Sequence, residues 1–216
     1  MISLLPLGDR AFLARFATES EAGRWASAVR GQGWPGVVDV VLAYRTAAVY
    51  ADPDRIDLDD LEARLLALPP ARGEHAERSL IRLPVLYDGE DLPEVARLTQ
   101  LTEGEVIARH SGCDYDVFAV GFQPGFPYAG YLPKAISHLP RLESPRVRVP
   151  GGSVAIAGRQ TGVYPIASPG GWRLLGRTPL RIVDPGHGHF PIRAGDRLRF
   201  EPIDAEEYEA RRGELL

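Results

Sequence analysis

Apolar and polar positions in the N-terminal part of the chain alternate between strand-like runs and helical stripes. Two short apolar runs flank Gly8-Asp9, which predicts a β-hairpin. A capping box at Thr18 and Glu21 predicts the start of a helix, and Pro69-Pro70 predicts the end of a second one. The predicted strands are 2–7, 11–16, 37–43 and 47–51, and the helical stripes are 22–29 and 58–68. This ββαββα order predicts an α+β sandwich of ferredoxin-like type over residues 1–78.

The pattern changes after a polar stretch at 71–78, which is predicted to be a linker. A strand at 80–86 and a helix at 92–101 come next, and a second capping box at Thr102 and Glu105 opens another helix. Short β-prone runs between Gly and Pro then follow at 117–120, 153–157, 162–166, 172–175, 180–183 and 197–200. Many short strands with frequent turns predict a barrel or sandwich in residues 79–216.

Composition places the chain among globular proteins without an evident affinity for polyanions. Hydrophobic residues make up 44% of the 216 positions, charged residues 25%, and the net charge is −4. Neither nucleic acid nor a membrane surface is therefore an expected partner. Cys113 is the single cysteine, and the N-terminus has neither a basic region nor a long apolar run, so a cytoplasmic location is expected.

Several common chemistries have no motif in this sequence. A P-loop, a G-x-S-x-G elbow, a C-x-x-C pair and an H-E-x-x-H helix are all missing. His187-Gly188-His189 offers two ligands, whereas a catalytic zinc usually takes three from the protein. No metal site is predicted.

A series of Gly- and Pro-rich motifs begins at Gly121. In chain order they are GFQPGFPY from Gly121, SPR from Ser144, VPGGSVAIAG from Val149, QTGVYP from Gln160, SPGGW from Ser168 and GRTP from Gly176. The series resembles the family that contains the B subunit of 5-oxoprolinase, allophanate hydrolase subunit 1 and the Kip inhibitor of a sporulation kinase. It also resembles a carboxyltransferase subdomain of urea carboxylase. This resemblance implies a ferredoxin-like domain followed by a cyclophilin-like β-barrel.

Five uncharged side chains in these motifs are candidates for binding a substrate or nucleotide. The stiff Pro-Gly-Phe-Pro-Tyr loop can present Phe126 and Tyr128 as an apolar wall, or it can plug one end of the barrel. Gln160, Tyr164 and Ser168 can hydrogen-bond an amide ring or a nucleotide. The alternative for such residues is to satisfy the backbone of a turn.

Three titratable side chains are candidates for catalysis. Arg146 and Arg177 can each clamp a carboxylate or phosphate, or they can bond loop carbonyls in a structural role. His110 can act as a general acid or base. Its place near a helix C-terminus also suits a cation that only complements the helix dipole.

The resemblance implies one component of an ATP-dependent 5-oxoprolinase, which opens 5-oxo-L-proline to L-glutamate with hydrolysis of ATP to ADP and phosphate. The implied partners are a C-subunit homologue of the allophanate hydrolase subunit 2 type and an A-subunit homologue of the lactam-utilisation type, and activity is expected only with them. ATP, with Mg²⁺, is the implied co-substrate. The alternatives are an inhibitor of a sensor histidine kinase and a carboxyltransferase-like component of urea or allophanate metabolism.

Overall fold

The computed structural model describes residues 2–68 and 79–216, which belong to two compact units. The boundary between the units falls after Arg78. The predicted linker at 71–78 lies outside the described residues. Within the described ranges, no helix combines the length and apolar character needed to cross a membrane.

The N-terminal unit is a four-stranded sheet with two helices. Its elements are β1 (Ser3–Pro6), β2 (Ala11–Arg15), α1 (Glu19–Gln32), β3 (Val37–Ala43), β4 (Thr46–Ala51) and α2 (Leu58–Ala67). The strand order is β1-β2-β4-β3, and every neighbouring pair is antiparallel. Strands β2 and β3 are therefore parallel to each other with β4 between them, which is the split βαβ arrangement of ferredoxin-like folds.

Local sequence signals begin both helices of this unit. The Thr18 side chain accepts from the Glu21 backbone, and the Glu21 carboxylate accepts from the Thr18 backbone, so the predicted capping box is confirmed. Asp57 caps α2 in the simpler way, by accepting from the backbone of Asp60.

The described part of the C-terminal unit has nine strands, and seven of them form one sheet. Its strands are β5 (Leu80–Val85), β6 (Tyr115–Val120), β7 (Pro127–Gly130), β8 (Arg146–Val149), β9 (Ser153–Ala157), β10 (Gln160–Val163), β11 (Ser168–Gly170), β12 (Arg173–Arg177) and β13 (Arg197–Pro202). Its helices are α3 (Leu92–Thr99), α4 (Glu103–Ser111) and α5 (Ala205–Ala210). The sheet runs β12-β9-β10-β7-β6-β13-β5, and β8 and β11 form a separate two-stranded arm. This confirms the predicted mixed α and β fold with a barrel.

The segment that follows β5 closes the sheet against its other edge strand, β12. Leu86 and Arg177 exchange two backbone hydrogen bonds, both 2.9 Å. Farther along, the Asp91 backbone donates to the carbonyl of Leu174 at 3.2 Å. The backbones approach so closely that a Cβ on Gly176 would lie 2.4 Å from the Leu86 carbonyl oxygen, so only glycine fits there.

Carboxylates of residues 88–94, which follow β5, bind arginines of the strands β8 and β12. Asp91 is 6% exposed, and its carboxylate accepts from Arg146 at 2.7 and 2.9 Å and from the Leu174 backbone at 2.6 Å. Farther out, Asp88 pairs with Arg177 at 2.8 Å. A third pair joins Glu94 on α3 to Arg173 at 2.6 Å. The segment is thus fixed by both backbone and charged hydrogen bonds.

Two parts of the predicted strand pattern need correction. The run at 180–183 is not a strand, and only Arg181 makes a single bridge, to Leu215. Its apolar side chains are buried, but its backbone bonds the chain end at Glu214 and Leu216 instead of a barrel strand. The short strands β7, β8 and β11 are not among the predicted strands, because Pro and Gly within β7 and β11, and the prolines on either side of β8, resemble turn signals.

His110 lies on α4 inside the barrel, wholly buried. Its Nδ1 lies 2.7 Å from the Tyr87 hydroxyl, its Nε2 lies 2.7 Å from Thr161 Oγ1, and its ring stacks on Phe200. Because Thr161 donates to the Ala155 carbonyl, its oxygen accepts from His110 Nε2–H, and Nδ1 then accepts from Tyr87. Burial lowers the pKa of His110 to about 3. The imidazole is therefore neutral, so the helix-dipole explanation, which requires a cation, is wrong.

Removing the buried carboxylate should destabilise the C-terminal unit far more than removing an exposed one. Asp91→Ala removes the carboxylate that accepts from the Arg146 Nη2 group and from the Leu174 backbone N–H, although Arg146 keeps its pair with Glu90. We expect a loss of about 3 kcal/mol in the free energy of unfolding. Asp88→Ala breaks a pair whose side chains are 39% and 43% exposed, and we expect less than about 1 kcal/mol. Urea denaturation of both variants measures the difference. Equal losses would contradict the closing role of Asp91.

The buried imidazole should also make stability depend on pH. The folded pKa is depressed below the unfolded value of 6.5, so His110 contributes stability above that value and the contribution is lost as pH falls towards 3. Between pH 6.5 and 5, the wild-type chain should lose about 2 kcal/mol more unfolding free energy than His110→Gln. Denaturation at each pH measures this, with His187→Gln, a substitution at an exposed histidine, as the control. If the unfolding free energies of His110→Gln and wild type fell in parallel as the pH is lowered, the neutral state assigned to the buried His110 would be refuted.

Candidate functional site

A pocket of about 240 Å³ opens on the C-terminal unit, and most of its wall is aromatic or glycine and proline. Its lining residues are Phe122, Phe126, Tyr128, Arg141, Pro145, Tyr164, Pro169, Gly170, Gly171 and Trp172. Apolar walls with a few polar groups are typical of small-molecule sites. The pocket is therefore the candidate functional site.

The pocket sits over the outer face of the barrel strands because those strands carry apolar side chains on both faces. On β9, Val154 and Ile156 belong to the main barrel core, whereas Ala155 and Ala157 belong to a second cluster with Trp172. Side chains alternate between the two faces of a strand, so the outer face of β9 carries the small methyl groups of these two alanines. The small side chains leave room for aromatic rings to pack on the sheet.

Phe126 stands at the centre of the aromatic wall. Its ring meets Tyr128, Tyr164 and Trp172 edge to face, with centroids 5.1, 5.2 and 5.4 Å away. Such crossed contacts are the favoured geometry for aromatic pairs. Because Phe126 is 1% exposed, it anchors the other rings from below. The predicted aromatic wall is thus a packed cluster and not a row of free side chains.

The loop before Phe126 carries an aromatic ring to the pocket edge. Phe122 adopts φ 69°, a left-handed conformation that is rare for a large side chain, and it is 62% exposed. The turn is held by backbone hydrogen bonds from Phe126 to Gln123 and from Gly121 to Phe126. Backbone strain of this kind is common at functional sites.

The Tyr164 phenol lies beneath the β11 arm. A Cβ placed on Gly170 would lie 2.3 Å from the Tyr164 hydroxyl, so the arm can cover the ring only with glycine at this position. Burial raises the pKa of the Tyr164 phenol, which keeps it protonated at neutral pH. The pocket therefore offers a neutral hydroxyl next to its aromatic surfaces.

Three of the residues predicted to bind substrate are brought together in this pocket, namely Phe126, Tyr128 and Tyr164. Gln160 and Ser168 are not among the lining residues. Gln160 begins β10 and pairs with Gly130 and Ala157, and the Ser168 hydroxyl donates to its neighbour Pro169.

The three predicted catalytic residues lie outside the pocket wall. Arg146 borders the pocket without lining it: its backbone pairs with Gly170 in the β8–β11 arm, and its guanidinium donates to the Trp172 carbonyl at 3.4 Å. Its other side-chain donors reach Asp91 and Glu90. Arg177 pairs with Asp88 and covers the ring of Tyr208 on α5. His110 is sealed in the barrel core. A catalytic role for these residues stays a prediction.

The two histidines of the candidate metal motif bond different parts of the chain. His187 bonds Asp184 through Nδ1 at 2.9 Å, whereas His189 bonds the Leu216 carbonyl through Nε2 at 2.8 Å. Across residues 2–68 and 79–216, no cluster of three or more His, Cys, Asp and Glu is arranged to hold a metal ion.

Trp172 and Arg141 are among the pocket residues that were not predicted as site residues. Trp172 closes the motif that begins at Ser168, and a tryptophan directly after two glycines is a signal that the sequence does contain. Arg141 lies between the recognised motifs, about midway along an irregular segment. Nothing in its local pattern distinguishes it from other exposed arginines.

Proteins similar to this chain are known. The 5-oxoprolinase B subunit of Bacillus subtilis (strain 168) is 38% identical over 94% of this chain and 94% of its own length. The 5-oxoprolinase B subunit of Escherichia coli O157:H7 is 40% identical over 82% of this chain and 84% of its own length.

Solved structures agree with the fold. The TTHA0988 structure matches with a TM-score of 0.81 and 40% identity over 91% of this chain, which spans only 40% of the TTHA0988 chain. Urea carboxylase of Kluyveromyces lactis matches with a TM-score of 0.68 over 97% of this chain and 22% of its own, but at 19% identity it supports the fold alone. The family model of the carboxyltransferase domain, subdomain C and D, matches residues 2–191, and the chain belongs to that family.

Proposed function

We propose that this chain is the B subunit of an ATP-dependent 5-oxoprolinase, which converts 5-oxo-L-proline, ATP and water to L-glutamate, ADP and phosphate. The observation that carries the proposal is the 38% identity to a 5-oxoprolinase B subunit over 94% of both chains. A match of that extent includes both compact units and the whole pocket.

The chain acts together with partner subunits in this proposal. The partners are a C-subunit homologue and an A-subunit homologue of the lactam-utilisation type. Two observations support an assembly: the relatives are named as subunits, and in TTHA0988 the matching region is part of a much longer chain. A domain that is fused to further polypeptide in one protein is often a separate subunit in another.

The aromatic pocket holds the lactam ring of the substrate. A flat five-membered ring suits the crossed faces of Phe126, Tyr128 and Trp172, and the Tyr164 hydroxyl can bond a lactam oxygen or N–H. The lactam amide is stable, so its opening is coupled to ATP, which we expect to phosphorylate the lactam oxygen before hydrolysis. ATP with Mg²⁺ is a co-substrate of the assembled enzyme.

Arg146 and Arg177 can neutralise phosphate in this reaction only if their ion pairs open. For Arg146 this would leave the Asp91 carboxylate, 6% exposed, without a guanidinium partner. Breaking a buried pair costs several kcal/mol. Arg177, with its more exposed partner Asp88, is the easier of the two to release.

The alternative in urea metabolism has one observation in its favour. A putative urea carboxylase of Emericella nidulans is 28% identical over 57% of this chain, although that match covers 11% of the carboxylase. The 5-oxoprolinase subunits match more of the chain at higher identity. The kinase-inhibitor alternative gains no support of this kind.

Reconstitution tests the proposed function. We expect 5-oxoproline-dependent release of ADP and glutamate from the mixture of this chain with the A-type and C-type partners, and none when this chain is omitted or present alone. Coupled ADP detection and glutamate quantification measure both products. Folded, co-purifying partners that give no turnover would overturn the proposal, and biotin-dependent carboxylation of urea would favour the alternative.

Neighbouring glycines of the pocket provide a matched pair of variants. Gly170→Ala places a methyl group 2.3 Å from the Tyr164 hydroxyl, whereas Gly171→Ala meets only Pro145 at 3.6 Å. Displacing Tyr164 should lower kcat/KM for 5-oxoproline in the assembled enzyme about ten- to hundredfold, because small shifts of positioning groups have effects of this size. Gly171→Ala should remain near wild type. Similar kinetics for both variants would show that the pocket does not bind the substrate.

A further inference from the structure

The pocket contains a cation whose charge no described residue balances. Of the ten lining residues, all of them within the described part of the chain, Arg141 alone is charged. Its side chain is exposed at the pocket rim, and among residues 2–68 and 79–216 it has no hydrogen bond or ion pair. It nevertheless lies close enough to the Tyr164 phenol to favour ionisation of that group.

Other arginines of the C-terminal unit, unlike Arg141, form ion pairs. Arg146, Arg173 and Arg177 each bind a carboxylate of residues 88–94, at 2.6 to 2.8 Å. Those guanidinium groups hold the barrel closed and have few donors to spare. Arg141 keeps its planar set of N–H donors for a ligand, and that set matches a carboxylate in two-point geometry.

The rest of the pocket limits the class of ligand. The crossed rings of Phe126, Tyr128 and Trp172 form apolar surfaces that favour a small ring with flat faces. The pocket volume, about 240 Å³, is too small for a nucleotide to be enclosed together with its phosphates. A carboxylate at the rim would meet Arg141 while remaining hydrated, so the ligand avoids the cost of burying its charge.

We propose that Arg141 binds the carboxylate of a small cyclic carboxylic acid whose ring lies against the aromatic wall. The identity of this acid as 5-oxo-L-proline rests on the proposed function. The requirement for one carboxylate and one compact ring rests on the pocket itself. Arg141 is then a specificity-determining residue that selects the acid over neutral lactams.

Direct binding tests the selection for charge. The fluorescence of Trp172 reports on the pocket, and Trp172→Phe identifies its share of the signal beside Trp25 and Trp34. The full chain is titrated with 5-oxo-L-proline and with its neutral carboxamide, which keeps the ring. We expect the acid to bind at least about tenfold more tightly, since hydrogen bonds to charged groups contribute roughly this much.

Arg141→Gln should remove the preference for the acid, whereas Arg148→Gln should keep it. Arg148 is also exposed and near in sequence, but it does not line the pocket, so it is the matched control. Equal affinity of the wild-type chain for acid and amide would overturn the inference. So would an equal loss of preference in the two variants.

Kinetics of the assembled enzyme separate this inference from the proposed function. With active wild-type subunits, Arg141→Gln should raise KM for 5-oxoproline about tenfold or more and change kcat little. An unchanged KM would overturn the role of Arg141 while the proposed function stands. An inactive wild-type assembly whose chain still discriminates acid from amide would overturn the proposed function and leave the carboxylate site. Loss of both activity and discrimination would overturn both.

Discussion

The pairing of the segment after β5 with β12 is the constraint on which the rest of the C-terminal unit depends. Strands β5 and β12 are the two edges of a seven-stranded sheet, and the Leu86–Arg177 hydrogen bonds join them. An exposed edge would leave unpaired backbone groups, so closure satisfies them and also fixes the curvature of the sheet. Asp91 then connects this seam to Arg146 at the start of the β8 arm. The arm covers the pocket, so the barrel seam and the site share one set of contacts.

The pocket exists because the barrel strands have unequal faces. On β9, Val154 and Ile156 belong to the main core, and Ala155 and Ala157 belong to the opposite face, where the rings of Phe126 and Trp172 occupy the space. A uniformly large outer face would push these rings away from the sheet. The same alternation therefore accounts for both the stability of the barrel and the aromatic character of the site.

Local signals predicted most of this architecture, and long-range pairing accounts for what they missed. The capping boxes at Thr18 and Thr102 correctly predicted α1 and α4, because their hydrogen bonds span three residues. The ion pair of Asp91 with Arg146 joins positions 55 residues apart, so no local pattern in the sequence could predict it. Likewise, Phe126 and Tyr164 were chosen from their motifs, but only the fold shows that they share a wall while Ser168 lies outside it.

The charge distribution of the pocket bears on which steps of the proposed reaction this chain can contribute to. His110 is neutral and buried, and Arg146 is held by carboxylates, so proton transfer by His110 or phosphate binding by Arg146 would first require these contacts to open. Within the described residues, the pocket itself offers aromatic faces, phenols and the guanidinium of Arg141. These groups can recognise a ring and a carboxylate, but phosphoryl transfer needs charge neutralisation around several phosphate oxygens. The proposed function in which this chain binds the lactam and its partners carry out the ATP chemistry accounts for both the groups that are present and the arginines that are already engaged.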